Sequence, residues 1–336
     1  MTKVHIVYAS DDRFCEILGV SLVSLYDNSK DLNEIAIYVL DSGISKENKD
    51  KLQSIASNYQ REDIIFLPVK DITQILKMNV NTDRGSISQY ARLFVSTLLP
   101  RDLDRVIYLD CDIIIKQSIK KLWTVDLEGK TIGALMDAFS RYYRMNIDLE
   151  PEDIMFNSGV MVIDLNRWKE NNVEKQLLDF IAKKKGKIQQ GDQGALNAIL
   201  SKETYCLNPA FNSVTIFYDF SYEEMIQYRR PPKFYPKEIV ENAVENPILI
   251  HFTTSFLSKR PWIVGCQHKY VEEWLKYKNM SPWNKNDLWV ENKRPIVEMV
   301  CRFLPRKLVI ALVSFLQVYG RPVKNRIFEM IKNNMR

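Results

Sequence analysis

The chain has 336 residues, 46% of them hydrophobic and 26% charged, with a formal charge of +5 at pH 7. That composition supports a full core and excludes a disordered, collagenous or disulfide-dense polypeptide. From Glu291 onward ten Lys and Arg stand against three Glu, a net +7, so residues 1–290 carry 5 − 7 = −2; with an acidic body, no nucleic-acid partner is expected.

The N-terminus enters a strand pattern at once. VHIVYA (4–9) is followed by an amphipathic helix near Ile17–Tyr26, and no basic-then-apolar leader is visible, so no secretory signal is expected. EIAIYVL (34–40) predicts a second strand, Lys46–Tyr59 a helix, IIFLPV (64–69) a third strand, and Ser88–Leu99 a helix ended by Pro100. RVIYLD (105–110), TIGALMD (131–137) and GVMVIDL (159–165) predict further strands. Asn166–Lys184 and Asp192–Ser201 predict helices, and ILIHF (248–252) a late buried strand. Strands alternating with helices predict an α/β fold, a mostly parallel sheet flanked by helices. The five cysteines form no CxxC pair, which argues against a zinc knuckle or a disulfide framework and for the cytoplasm.

In such sheets ligands bind beyond the carboxyl ends of the strands. Asp11 and Asp12, Asp41, and Asp110 and Asp112 all fall there, and they are expected to face one crevice. In YLDCDIII (108–115) two acids end an apolar run, although burying an unpaired charge is costly. In extended backbone, residues i and i+2 share a side. Asp110 and Asp112 then converge on a cation with Cys111 turned into the core; a turn cap beside a solvated acid is the plain alternative. His251, ending its strand, is either a third ligand or a core histidine. Two carboxylates and an imidazole suit Mn²⁺ better than Mg²⁺. FNSGVMVIDL (156–165) sets Asn157, Ser158 and Gly159 before a strand, as polyhydroxy-binding groups or as a simple turn. QQGDQGALNAIL (189–200) sets Asp192 and Gln193 at a helix start, where Asp192 is otherwise an ordinary N-cap.

The combination resembles the family-8 retaining glycosyltransferases of the GT-A fold, the group of bacterial lipooligosaccharide α-galactosyltransferases and glycogenin. The resemblance spans about residues 3–275 and runs in order through IVYASDD, YVLDSGISKEN, QYARLFVSTLLP, RVIYLDCDIII, LWTVDL, FNSGVMVIDLNRW, GDQGALN and IHFTTSFLSKRPW. It implies a UDP-hexose donor, galactose or glucose, with Ala9 and Asp11 at the uracil and ribose and Asp12 beside them. It implies Mn²⁺, with Mg²⁺ as substitute, on Asp110, Asp112 and His251, bridging the diphosphate; Arg92 lies against the donor, and Asp137, Asn157, Asp192 and Gln193 line the sugar pocket. Two departures stand out. Arg13 replaces a short polar residue near the ribose. HFTTSFLSKRPW is three residues longer than the usual H-x-x-G-x-x-K-P-W, with Thr254 in place of Gly, so either Lys259 or Arg260 takes the diphosphate.

Gln193, expected to face the anomeric carbon, is a poor nucleophile, which favours same-face attack through an ion pair; Asp192 binds sugar hydroxyls and is the fallback nucleophile. The organisation expected is a GT-A catalytic domain over 1–280 and a basic amphipathic region over 281–336. Its longest uncharged apolar run, Leu308–Tyr319, falls short of the roughly 20 residues of a spanning helix. The region is expected to lie on an anionic membrane, at the inner face of the plasma membrane; a helix packed on the body or a dimer contact is the alternative. The acceptor expected is a saccharide or glycolipid in surface-glycan or lipopolysaccharide biosynthesis, with the oligomeric state open. The rival readings are a haloacid-dehalogenase-like phosphatase with Asp110 as nucleophile, and a non-catalytic nucleotide-sugar-binding protein of the membrane surface.

Overall fold

The computed structural model describes residues 3–80, 87–291 and 303–324. Its strands are β1 (Val4–Ser10), β2 (Ile35–Asp41), β3 (Ile65–Pro68), β4 (Arg105–Leu109), β5 (Ile113–Ile115), β6 (Ile132–Met136), β7 (Phe156–Asp164), β8 (Thr204–Cys206), β9 (Ser213–Val214) and β10 (Leu249–His251). Seven form one sheet in the order β3-β2-β1-β4-β7-β6-β8, and β5-β10-β9 form a small second sheet. In the main sheet only the two pairings of β7, with β4 and β6, are antiparallel. This is the mostly parallel α/β architecture, a GT-A fold.

Side chains alternate between two cores because successive residues of a strand face opposite sides of the sheet. Ile35, Ile37 and Val39 of β2 enter the core that holds the helix Cys15–Asn28, whereas Ala36, Tyr38 and Leu40 enter the other. Both faces are covered, which is why β1, β2 and β4 read as continuous apolar runs. β3, half-exposed at the sheet edge, ends at Pro68, a residue that edge strands tolerate.

Two helices differ from expectation. The stretch read as one helix over 88–99 is a 3₁₀ segment, Ile87–Phe94, followed by the single turn Val95–Leu98. At three residues per turn, Arg92 Nε donates to the Gln89 carbonyl at 3.1 Å while the side chain runs into the interior. The stretch Asn166–Lys184 is two helices, Leu165–Glu170 and Val173–Lys183, broken where Asn172 takes φ = 50°. Asn tolerates that left-handed conformation better than most residues.

The C-terminal region does not separate cleanly at 280. Trp283 is buried against Gly19 of the first helix, and Trp289 bridges to Ile263, so the body extends through these residues. Further on, the helix Arg306–Phe315 lies on the helix Tyr222–Arg229. Arg306 Nε pairs with Glu224 at 2.8 Å and the Ser314 hydroxyl donates to the Gln227 carbonyl at 2.8 Å. Val309, Ile310 and Ser314 are buried, while Leu308, Leu312, Phe315 and Leu316 remain exposed. No helix among the described residues is long and apolar enough to cross a membrane.

Candidate active site

At Leu109 the chain leaves the main sheet and turns through Asp110, Cys111 and Asp112 into β5 of the small sheet. The two carboxylates are therefore presented by a turn between sheets, and not by the alternation of one extended strand. The Asp110 N–H donates to the Gly159 carbonyl at 2.8 Å, tying the turn to β7. Cys111 is buried, as expected, with its thiol on the Ala9 carbonyl at 3.2 Å. Antiparallel pairing of β10 with β5 sets His251 opposite Ile113. His251 Nε2 then lies 3.1 Å from Asp112 Oδ1 and 3.8 Å from Asp110 Oδ2. One ligand atom from each of Asp110, Asp112 and His251 falls within 4.8 Å of the others.

The imidazole is oriented from behind. His251 Nδ1 is 3.0 Å from Asn212 Oδ1, and Asn212 Nδ2 donates to Asn157 Oδ1 at 3.0 Å. An amide oxygen only accepts, so Nδ1 carries the proton and the Nε2 lone pair faces the two carboxylates. Gly159 supplies the space: a Cβ there would overlap His251 Cε1 and stand 2.9 Å from Asp110 Oδ2. Two carboxylates and an imidazole with its lone pair turned inward, around room cleared by a glycine, fit a divalent cation.

Arg92 joins this triad to the rest of the cleft. Buried beneath it, Arg92 pairs through Nη2 with Asp110 Oδ1 at 2.8 Å and through Nε with Asp192 Oδ2 at 2.9 Å. Its Nη1 donates to the Ser158 carbonyl at 2.9 Å, and its plane covers the Tyr108 ring at 4.6 Å. Burial alone would lower the guanidinium pKa, but Asp110, Tyr108, Asp192 and Asp112 outweigh it and raise it. The Tyr108 hydroxyl, kept protonated by its burial, donates to Asp110 Oδ1 at 3.0 Å. Asp110 therefore has one oxygen held by Arg92 and Tyr108 and the other turned toward His251.

Ala9, Asp11, Arg92, Asp110, Asp112, Asp137, Asn157, Asp192 and Gln193 line one cavity of about 280 Å³. Within it, Gln193 Oε1 accepts from the Ser158 N–H at 3.3 Å; a backbone N–H can only donate, which fixes the amide orientation. Asp192 is not the N-cap of its helix: Gln190, with φ = 67°, holds that position, and the Asp192 carboxylate is spent on Arg92. Burial pushes the Asp137 carboxyl pKa up, against Arg229 and bonds from Asn157 and Ala138 that favour the ion.

Two acids are absent from the cleft. Asp12 is exposed and accepts from the Ser45 N–H at 2.7 Å and from Asn48 Nδ2 at 2.8 Å; these bonds hold its pKa low. Asp41 closes its own turn, accepting from the Gly43 and Ile44 N–H groups and pairing with Lys49 at 2.5 Å. Carboxylates at strand ends also serve turns and helix starts, and these two do. Lys259 turns its Nζ to the Val264 carbonyl at 3.2 Å, whereas Arg260 Nη2 stands 3.8 Å from Asp112 Oδ2. Of the two, Arg260 faces the triad. Arg13 is drawn off over the Trp289 ring at 5.1 Å.

Sequence reasoning missed Tyr108, Asn212 and Arg229. Tyr108 was legible, since it is a polar-tipped residue at the end of an apolar strand, two positions before Asp110. Asn212 and Arg229 carry no local signal and reach the site through long-range packing.

A model of glycosyl transferase family 8 matches residues 5–263 of the chain. General stress protein A of Bacillus subtilis (strain 168) is 29% identical over 84% of this chain and 95% of that protein. A lipopolysaccharide 1,2-glucosyltransferase of Escherichia coli (strain K12) is 24% identical over 89% and 84%. Among solved structures, the galactosyltransferase LgtC in complex with donor and acceptor sugar analogues superposes with a TM-score of 0.70 at 24% identity, covering 83% of this chain and 96% of that one.

Proposed function

We propose, from the premise that the chain belongs to glycosyl transferase family 8, that it transfers a hexose, galactose or glucose, from a UDP-sugar to a saccharide or glycolipid acceptor in surface-glycan or lipopolysaccharide assembly. The observation that carries the reading is the Asp110–Asp112–His251 triad beside a pocket of sugar-binding polar groups. Membership in the family removes the phosphatase reading.

Asp110, Asp112 and His251 would hold Mn²⁺, or Mg²⁺ in its place. When bound, such a cation supplies Lewis-acid stabilisation of the charge left on the departing diphosphate. Arg260 adds a second positive charge at that oxygen, in preference to Lys259. Ala9, Asp11 and Phe14 receive the uridine, and Asp137, Asn157 and Asp192 the sugar hydroxyls. Arg92 holds Asp110 and Asp192 in place through its two ion pairs, so no reorganisation is needed as charge develops. With Gln193 Oε1 held by Ser158, the group it turns to the ligand is its NH₂, a donor without nucleophilic character. That supports same-face attack through an ion pair, in which the leaving phosphate oxygen takes the acceptor proton. A covalent sugar adduct trapped on Asp192 would overturn this mechanism.

The exposed apolar row Leu308, Leu312, Phe315 and Leu316, in a segment of net charge +7, supports peripheral attachment to an anionic membrane at its cytoplasmic face.

The decisive experiment is thermal stability with UDP, UDP-glucose and UDP-galactose, each with and without Mn²⁺, in wild type and Asp112→Asn. A ligand at a hundred times its Kd adds about 2.7 kcal/mol. Stabilisation that needs both nucleotide and metal and vanishes in the variant supports the donor site; none with any UDP ligand, in folded protein, removes the transferase reading. Donor binding with neither transfer nor hydrolysis would favour the non-catalytic rival.

A further inference from the structure

Beyond the sugar-binding groups, the cleft wall carries a cation that the proposed donor chemistry does not use. Arg229 lines the same cavity as Asp110, Asp192 and Gln193. Its guanidinium is stacked between two rings, 4.9 Å from the Phe139 centroid and 4.9 Å from that of Tyr228. Its Nε is shielded from solvent and makes no hydrogen bond. Among the described residues this side chain makes no hydrogen bond and no ion pair. Arg229 makes no ion pair with Asp137, yet the Asp137 carboxyl feels its charge.

A guanidinium offers five N–H donors in a planar fork, and leaving a buried donor unmade is costly. The position is firmly built: the helix Tyr222–Arg229 begins in a capping box of Ser221 and Glu224, and the helix Arg306–Phe315 braces it through Arg306 and Ser314. Ring stacking fixes the plane of the fork without satisfying it. Phe139, Val214 and Ile216 line the same cavity as Arg229, and none of the four is among the groups assigned above to the uridine, the diphosphate or the donor sugar, which on the transferase reading leaves them to the acceptor.

We propose that Arg229 is the anion-reading residue of the acceptor subsite, and that the acceptor carries an oxyanion beside the hydroxyl that is glycosylated. The shared chemistry is a carboxylate or a phosphate on a saccharide, held bidentately by the fork. Asp137, two residues from Phe139, keeps its place at the donor sugar hydroxyls and offers an oxyanion no favourable contact, which leaves Arg229 to take it. This inference rests on the transferase reading of the cleft.

The test is transfer from the donor that stabilises the protein best to three acceptors: a methyl hexoside, the matching methyl hexuronoside and the matching methyl hexoside 6-phosphate. Wild type, Arg229→Lys and Arg229→Met are compared by kcat/KM. Wild type should prefer an anionic acceptor by about 10- to 100-fold, as expected for charge-assisted hydrogen bonds. Arg229→Met should abolish that preference and Arg229→Lys keep part of it. A preference confined to the uronoside or to the phosphate identifies the source of the charge. A wild type that transfers equally to neutral and anionic acceptors overturns the proposal, whether or not the variants fold. An effect confined to the donor KM also overturns it, by moving the anion to the donor sugar. No response to any UDP ligand would instead overturn the transferase reading beneath it.

Discussion

Replacing Gly159 by Ala tests whether the triad is packed as tightly as the geometry requires. Gly159 lies where the pairing of β7 with β6 shifts register, but its φ is not positive, so alanine meets no left-handed strain and its effect comes from one methyl group. That methyl would overlap His251 Cε1 and lie 2.9 Å from both His251 Nδ1 and Asp110 Oδ2. None of these atoms can yield freely. Nδ1 is bonded to Asn212, Asp110 is pinned by Arg92 and Tyr108, and the strand is buried on both faces. Overpacking of this kind costs about 1–3 kcal/mol, and the imidazole must rotate or retreat from Asp112. Displacing an oriented ligand lowers metal affinity by about 10- to 100-fold. Urea unfolding of the apo protein reads the first effect; titration of Mn²⁺ against UDP-dependent thermal stabilisation reads the second. The control is Gly43→Ala, at φ = 96° with nothing within 4 Å of its Cβ, which should cost about 1 kcal/mol of stability and leave metal dependence alone. Gly159→Ala with unaltered Mn²⁺ titration would refute the argument that the glycine clears the space for the His251 ring and the Asp110 carboxylate.

Asn212→Ala should lower Mn²⁺-dependent UDP stabilisation about 10- to 100-fold in metal concentration, because His251 loses the acceptor that fixes its tautomer; an unshifted titration would contradict this. His268 is buried among Phe252, Tyr218 and Tyr270, and burial lowers its pKa to about 4. Its neutral form is favoured in the folded state, so the unfolded chain binds the extra proton between pH 6.5 and about 4. Stability attributable to this residue should be fully present above pH 6.5 and disappear as the pH falls through that window, by about 3 kcal/mol at most. His268→Phe should flatten the pH dependence of unfolding there relative to wild type, and parallel curves would refute the assignment. On the proposed membrane attachment, Leu312→Ser with Phe315→Ser, exposed at 53% and 63%, should reduce sedimentation with anionic vesicles several-fold while changing stability by only about 0.5 kcal/mol.

The sequence by itself determined what depends on local periodicity and residue type. β1, β2 and β4 were legible because both faces of their sheet are buried, and the alternation of strand and helix then required a parallel α/β fold. Asp110, Asp112, His251, Asp192 and Gln193 were legible because charged or polar residues at strand ends and helix starts stand out against apolar runs. Tertiary structure decided what depends on register between distant segments. Asp110 and Asp112 meet through a turn between two sheets, and the pairing of β10 with β5 brings His251 to them. Asp12 and Asp41 share the sequence signal of the site acids, yet nearby N–H groups of a turn and a helix start claim them. Lys259 and Arg260 are neighbours in the chain, and only the course of the loop turns one of them toward Asp112. Asn212 and Arg229 show nothing unusual in sequence, because what they do is set by groups that come near them only in the folded chain.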